Sequence, residues 1–178
     1  MGFAANPTLS HRLTQPGTSG SQDGLVRLLQ SAREELTSAT REARGGIKAL
    51  EHFSGHVDAL IGQIYLGLRV RPSVPWAIIA LGGYGRRHLC LHSDIDLLIV
   101  FDGVIRDTEK QSLKSLLHPL WDLKLQIGHQ VRELSELSRV ERDNPEFLLA
   151  ALDARFLAGE DAVFEKFRDL CNRSGTEW

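Results

Sequence analysis

The segment that most constrains this chain lies between two short apolar runs. Trp76-Ala77-Ile78-Ile79-Ala80-Leu81 leads into Gly82, Gly83 and Gly85, while Asp94 and Asp96 open Leu97-Leu98-Ile99-Val100-Phe101. Both runs read as buried strands. Between them a glycine-rich turn is joined to a pair of carboxylates. Glycines let a backbone come close to a phosphate and aim N–H groups at it. Two aspartates at i and i+2 on a strand point to the same face, where both can hold one divalent cation. A phosphate cradle beside a metal site is what transfer from a nucleoside triphosphate requires.

The chain has 178 residues, enough for one domain with a real core and tight for two. With 42% apolar and 25% charged residues it has the composition of a soluble globular protein. A net charge of -2 suggests neither a general nucleic-acid binder nor a basic membrane-surface protein, and no basic tract supports nucleic acid as a substrate. Cys90 and Cys171 lie far apart and match no metal-ligand spacing, which predicts a reduced, cytoplasmic protein. No apolar signal core opens the chain, and no apolar run approaches the roughly 20 residues that span a bilayer.

Residues 1–24, rich in Gly, Ser, Thr, Pro, Asn and Gln, read as a disordered lead-in. Residues 25–70 read as N-terminal helices. Leu25, Leu28, Leu29, Ala32 and Leu36 keep helical spacing up to the break at Gly45-Gly46; Val57, Ile61, Ile64, Tyr65 and Leu68 form a second stripe. Residues 71–178 read as the domain that carries the motif. After the second strand, at about 95–101, Leu113, Leu116, Leu117, Leu120 and Trp121 form the apolar stripe of a helix that Pro119 bends near its end. Leu125 to Val131 alternates like a third strand, and helices are expected over 147–157 and 162–170. The order predicts an α/β (α+β) fold in which a small mixed sheet is covered by helices.

Either half of the motif is weak alone, because Gly-Gly turns are common and Asp-x-Asp at a strand start is more often a solvated turn. Their order is demanding. It is neither a Walker A loop nor a dinucleotide fingerprint. Gly82-Gly83-Tyr84-Gly85-Arg86 followed by Ser93-Asp94-Ile95-Asp96-Leu97-Leu98 resembles the polymerase β-like nucleotidyltransferase superfamily, and within it the N-terminal domain of bacterial protein-PII uridylyltransferases. The resemblance continues through Leu120 to Leu123, Ile127 to Arg132 and Leu152 to Gly159.

The resemblance implies that Gly82, Gly83 and Gly85 shape a nucleotide-binding turn to which Arg86 and Ser93 add contacts. It implies that Asp94 and Asp96 are the catalytic residues and Mg²⁺ ligands. The activity implied moves UMP from UTP to a tyrosine of a PII-type signalling protein. Another nucleotide or acceptor, or a non-catalytic nucleotide- or protein-binding module, remains open, since base identity is read outside the phosphate motif. Arg87 divides evenly between phosphate contact and a solvated helix start.

Three departures stand out. His88 and Leu91 replace the glutamate and proline usual in those enzymes, with His88 read as a surface histidine. The third carboxylate common in the superfamily has only Glu133 as a weak candidate, and His129 reads as structural or second to the site. The resembling enzymes also continue into more transferase helices, a hydrolase domain and glutamine-sensing domains. The chain is accordingly expected to be a stand-alone remnant, a truncated product or a fragment, with neither nucleotide removal nor a glutamine response. Apolar surface around Phe156, Phe164 and Phe167 is expected to be partly uncovered and to promote self-association.

Overall fold

The computed structural model describes residues 22–43, 45–140 and 145–175. Helices α1 (Gln22–Arg41) and α2 (Ile47–Leu66) pack on each other ahead of strand β1 (Trp76–Ala80). A single helical turn, α3 (Gly82–Gly85), precedes β2 (Ile95–Phe101). Then come α4 (Asp107–Asp122), β3 (Ile127–Glu133), α5 (Leu134–Val140), α6 (Pro145–Leu152), β4 (Arg155–Gly159) and α7 (Asp161–Gly175). The lead-in expected to be disordered falls largely outside the described residues, but its last three residues already belong to α1.

The four strands form one mixed sheet in the order β3-β2-β1-β4; β1 is antiparallel to β2 and β4, while β2 and β3 run parallel. Ile78, Ala80, Leu97, Ile99 and Phe101 face a core built with Leu29, Leu36, Val57, Leu60, Ile61, Leu116 and Leu120 of α1, α2 and α4. Ala77, Ile79, Leu98 and Val100 face the opposite core, which Leu137, Phe147, Val163 and Phe167 supply from α5, α6 and α7. Helices thus cover both faces, which is why the two central strands are continuously apolar rather than alternating. The small mixed sheet covered by helices agrees with the expected fold class.

Several sequence expectations need correction. The helix expected over 147–157 ends at Leu152, and Arg155–Gly159 instead forms β4 on the free edge of β1. The Ala- and Leu-rich stretch favours a helix locally, but the unpaired backbone groups along β1 need a partner. Gly159 is required there: its φ is +111°, and a Cβ would lie 2.3 Å from the Trp76 carbonyl oxygen. The third strand begins two residues later than expected, and α5 was not anticipated. Trp121 does not join the buried stripe of α4; it is 44% exposed beside the rings of His118 and His129. Nor are the three phenylalanines uncovered. Phe167 and Phe164 are buried as α7 packs on the sheet, and half-buried Phe156 lies against Phe164. Among the described residues, the large apolar side chains left exposed in this region are Leu149 and Leu152 on α6.

The entry to α4 is tied by Glu109. Its carboxylate accepts hydrogen bonds from Ser73 N (2.8 Å), Ser73 Oγ (2.6 Å) and Arg106 N (3.0 Å), joining the β1 lead-in to the first turn of the helix. The Ser73 bonds are the main reason its pKa falls from 4.5 to about 2. A depressed carboxyl stabilises the fold fully above its unfolded pKa and loses that contribution as pH falls through the folded one. Glu109→Gln is therefore expected to flatten the acid limb of stability between pH 4.5 and about 2. Denaturant midpoints of both chains across that window check it.

Candidate active site

The site begins at the C-terminal end of β1. Gly82 takes a left-handed φ of +52°, which turns the chain out of the strand and into α3. Leu81 N donates to Asp96 O (3.0 Å), clamping the turn to the start of β2. Gly85 N donates to Leu81 O (2.8 Å) and His88 N to Gly83 O (2.9 Å), which closes the helical turn.

Asp96 is the one exposed residue of a strand that is otherwise buried. Its carboxylate lies between two glycines. A Cβ on Gly82 would stand 3.5 Å from Oδ2, and a Cβ on Gly128, its register partner on β3, would stand 2.7 Å from Oδ1. Partial burial raises the Asp96 pKa, and the charge of exposed Asp94 raises it further. Two neighbouring carboxylates, with space kept free around the inner one, fit a divalent cation bound through oxygen. Gly128→Ala is expected to push the Asp96 side chain aside at little cost to stability, because the crowded atom ends a flexible side chain. It should weaken Mg²⁺ binding while the thermal midpoint stays near that of the unaltered chain; paired calorimetric titration and melting test both halves.

A second set of contacts holds the glycine turn from behind. Tyr84 OH donates to Asp58 Oδ1 of α2 (2.7 Å). Arg155 of β4 donates to both Asp58 oxygens (2.8 and 3.1 Å), and also to Tyr84 O and Gly85 O (both 3.1 Å). Arg155 therefore satisfies two carbonyls that end the short helix. Burial, and then the charge of Asp58, push the Tyr84 phenol well above its usual range, so it stays a neutral donor. Gly85 is small for packing reasons: a Cβ would meet Asp153 O at 2.0 Å.

The remaining site residues fall in different places. Arg86, expected on phosphate, is ion-paired with Asp153, so a phosphate contact would have to exchange that partner. Arg87 is exposed, with a left-handed φ of +62°. The Ser93 hydroxyl accepts from Cys90 N (2.9 Å) and donates to Cys90 O (3.1 Å), closing the 90–93 turn just before the aspartates. A cleft of about 250 Å³ lined by Arg33, Ser93, Ile95 and Lys124 opens next to this turn. It belongs to the face of β2 opposite Asp96, since Ile95 points to the α1–α2–α4 core.

Glu133 does not serve as a third carboxylate. It pairs with Phe101 at the far end of β2, and register puts it on the opposite face from Asp96. Its Oε1 accepts from Ile105 N (2.8 Å). His129 shares that opposite face, as the partner of Leu97. On the Asp96 face, β3 carries Gly128, Gln130 and Arg132.

The motif reading overlooked Asp58, Gly128 and Arg155 as parts of the site. Asp58 had a visible signal, a carboxylate next to Val57 inside an apolar helix stripe; the other two gain their roles only through strand pairing.

No protein-family model matches the chain. It is similar to curated proteins named bifunctional uridylyltransferase/uridylyl-removing enzyme. The one from Cereibacter sphaeroides is 40% identical over 155 residues, which cover 82% of this chain and 17% of that relative. The one from Methylococcus capsulatus is 32% identical over 140 residues, or 79% of this chain and 16% of the relative. A third, from Photobacterium profundum, is 27% identical over 171 residues, or 96% of this chain and 20% of the relative. The chain is thus similar along most of its length to bifunctional uridylyltransferase/uridylyl-removing enzymes, and spans at most 20% of the length of these three.

Proposed function

We propose that this chain carries the nucleotidyl-transfer site of a uridylyltransferase, moving UMP from UTP to a tyrosine of a PII-type signalling protein. The observation that supports the reading most is the Asp94/Asp96 pair beside the left-handed Gly82 turn, with glycines on both sides of the Asp96 carboxylate. The names of the similar proteins supply the uridylyl group and the transfer reaction. Mg²⁺, held by Asp94 and Asp96, would offset charge on the α-phosphate and on the pyrophosphate leaving group.

The chain's own residues do the rest. Gly82 and Gly83 let the backbone approach the triphosphate, and the Asp58–Tyr84–Arg155 contacts keep that turn rigid. Arg86 reaches phosphate oxygens by leaving Asp153, which places a guanidinium where bidentate contact is favourable. The acceptor hydroxyl attacks the α-phosphorus in line, the bond to pyrophosphate breaks, and the hydroxyl proton leaves to solvent or to a nearby carboxylate.

Incubating the purified chain with labelled UTP or labelled ATP, Mg²⁺ and a PII protein tests the reading. Label on PII from UTP supports it; label from ATP alone replaces the nucleotide. A second reading, nucleotide binding without transfer, draws on β3, whose Asp96 face carries Gly128, Gln130 and Arg132 and no carboxylate. UTP that binds in a Mg²⁺-dependent way but never labels PII would favour it.

A further inference from the structure

The α1–α2 pair carries a cluster that nucleotidyl transfer does not use. His52 and His56 stand one turn apart on α2, so their rings share a face, 4.8 Å between centroids. Glu35 of α1 reaches both: Oε1 lies 3.0 Å from His52 Nδ1, and Oε2 lies 3.5 Å from His56 Nε2. One ligand atom from each residue falls within 4.8 Å of the other two. His56 Nε2 is shielded from water yet makes no hydrogen bond, with only the longer contact to Glu35 Oε2 beside it.

We propose that Glu35, His52 and His56 form a site for one divalent transition-metal ion, best matched to Zn²⁺. Two imidazoles spaced i, i+4 on a helix plus one carboxylate is a three-ligand set that suits zinc and leaves a fourth position for water. Bonds of about 2.0–2.2 Å in a tetrahedron place ligand atoms about 3.3–3.6 Å apart, so the observed separations need only small side-chain rotations to close. The ion would satisfy the orphaned Nε2 and bridge α1 to α2. It would also brace the catalytic turn indirectly: on either side of His56, Ser54 Oγ accepts from Leu89 N (3.2 Å), and Asp58 holds Tyr84. Mg²⁺ is a poor occupant, because it prefers an all-oxygen octahedral shell. The two metals would therefore sort between the two sites.

The test is a Zn²⁺ titration of the full chain by calorimetry in excess Mg²⁺, with Co²⁺ substitution read by visible absorption. One equivalent is expected, with a rise in thermal midpoint and the strong bands of a tetrahedral nitrogen–oxygen site. Glu35→Gln, His52→Ala and His56→Ala should each weaken binding by about tenfold or more. Melting in chelator confirms that each variant folds. The Asp94→Asn/Asp96→Asn double variant should bind Zn²⁺ unchanged. Absence of binding would leave two imidazoles in simple polar contacts with Glu35 and overturn the proposal. So would binding that survives all three ligand variants, or that disappears with the aspartates.

Discussion

Asp94→Asn or Asp96→Asn is expected to lower Mg²⁺-dependent transfer at least about a hundredfold, a loss of about 2.7 kcal/mol of transition-state stabilisation. Both side chains carry charge that a cation would share, and asparagine keeps the shape while removing it. Stability should move the other way. The Asp96 pKa is raised by its own burial and by Asp94, so ionising it in the metal-free fold costs free energy, and either substitution relieves that cost. The expected pattern is a metal-free thermal midpoint equal to or above that of the unaltered chain, with activity nearly gone. Added Mg²⁺ should raise the midpoint of the unaltered chain only. Full Mg²⁺-dependent transfer by both variants would remove the metal assignment from this pair.

Gly85→Ala and Gly83→Ala should separate two reasons for glycine in one turn. At Gly85 the new Cβ would lie 2.0 Å from a backbone oxygen at Asp153 and 3.2 Å from Ala80 O. Backbone on both sides cannot yield as a flexible side chain can, so the cost should exceed about 3 kcal/mol. Against a net stability of about 5–15 kcal/mol, that is enough to lower the thermal midpoint steeply. Gly83 faces open space, its nearest neighbour His88 O being 4.0 Å away, and its φ is not left-handed. Alanine there should leave the fold intact or slightly firmer, because it favours helix over glycine by up to about 1 kcal/mol. A fall in nucleotide affinity without a fall in midpoint would mark Gly83 as the residue that phosphate approaches. Normal affinity in a fully folded Gly83→Ala chain would take it out of the cradle.

The left-handed glycine is Gly82, and Gly83 is not strained, so a β-branched residue at 83 would oppose a ligand rather than the backbone. Spacing alone could not separate the three glycines, because each differs in what its Cβ would touch.

Local pattern determined a good deal about this protein. The apolar runs at 76–81 and 97–101 marked the two central strands, and helical spacing marked α1, α2 and α4, because burial on a repeating element leaves its period in the residues. The adjacency of the glycine turn and the aspartates could also be read there, since both lie within one short stretch of chain.

Only the tertiary structure decided the rest. Arg155–Gly159 became a strand because β1 offered it an unpaired edge, a demand made by residues about 80 positions away. Gly128 came to rest beside Asp96, and Glu133 on the far face, through the parallel register of β2 and β3, where a slip of one residue would exchange the faces. Asp58 and Arg155 met across 97 positions, and the sheet covered Phe164 and Phe167 of α7. Pairing and coverage of this kind depend on which surfaces remain exposed once the local elements exist. A stretch of sequence fixes its own period, but not the partner that will satisfy it.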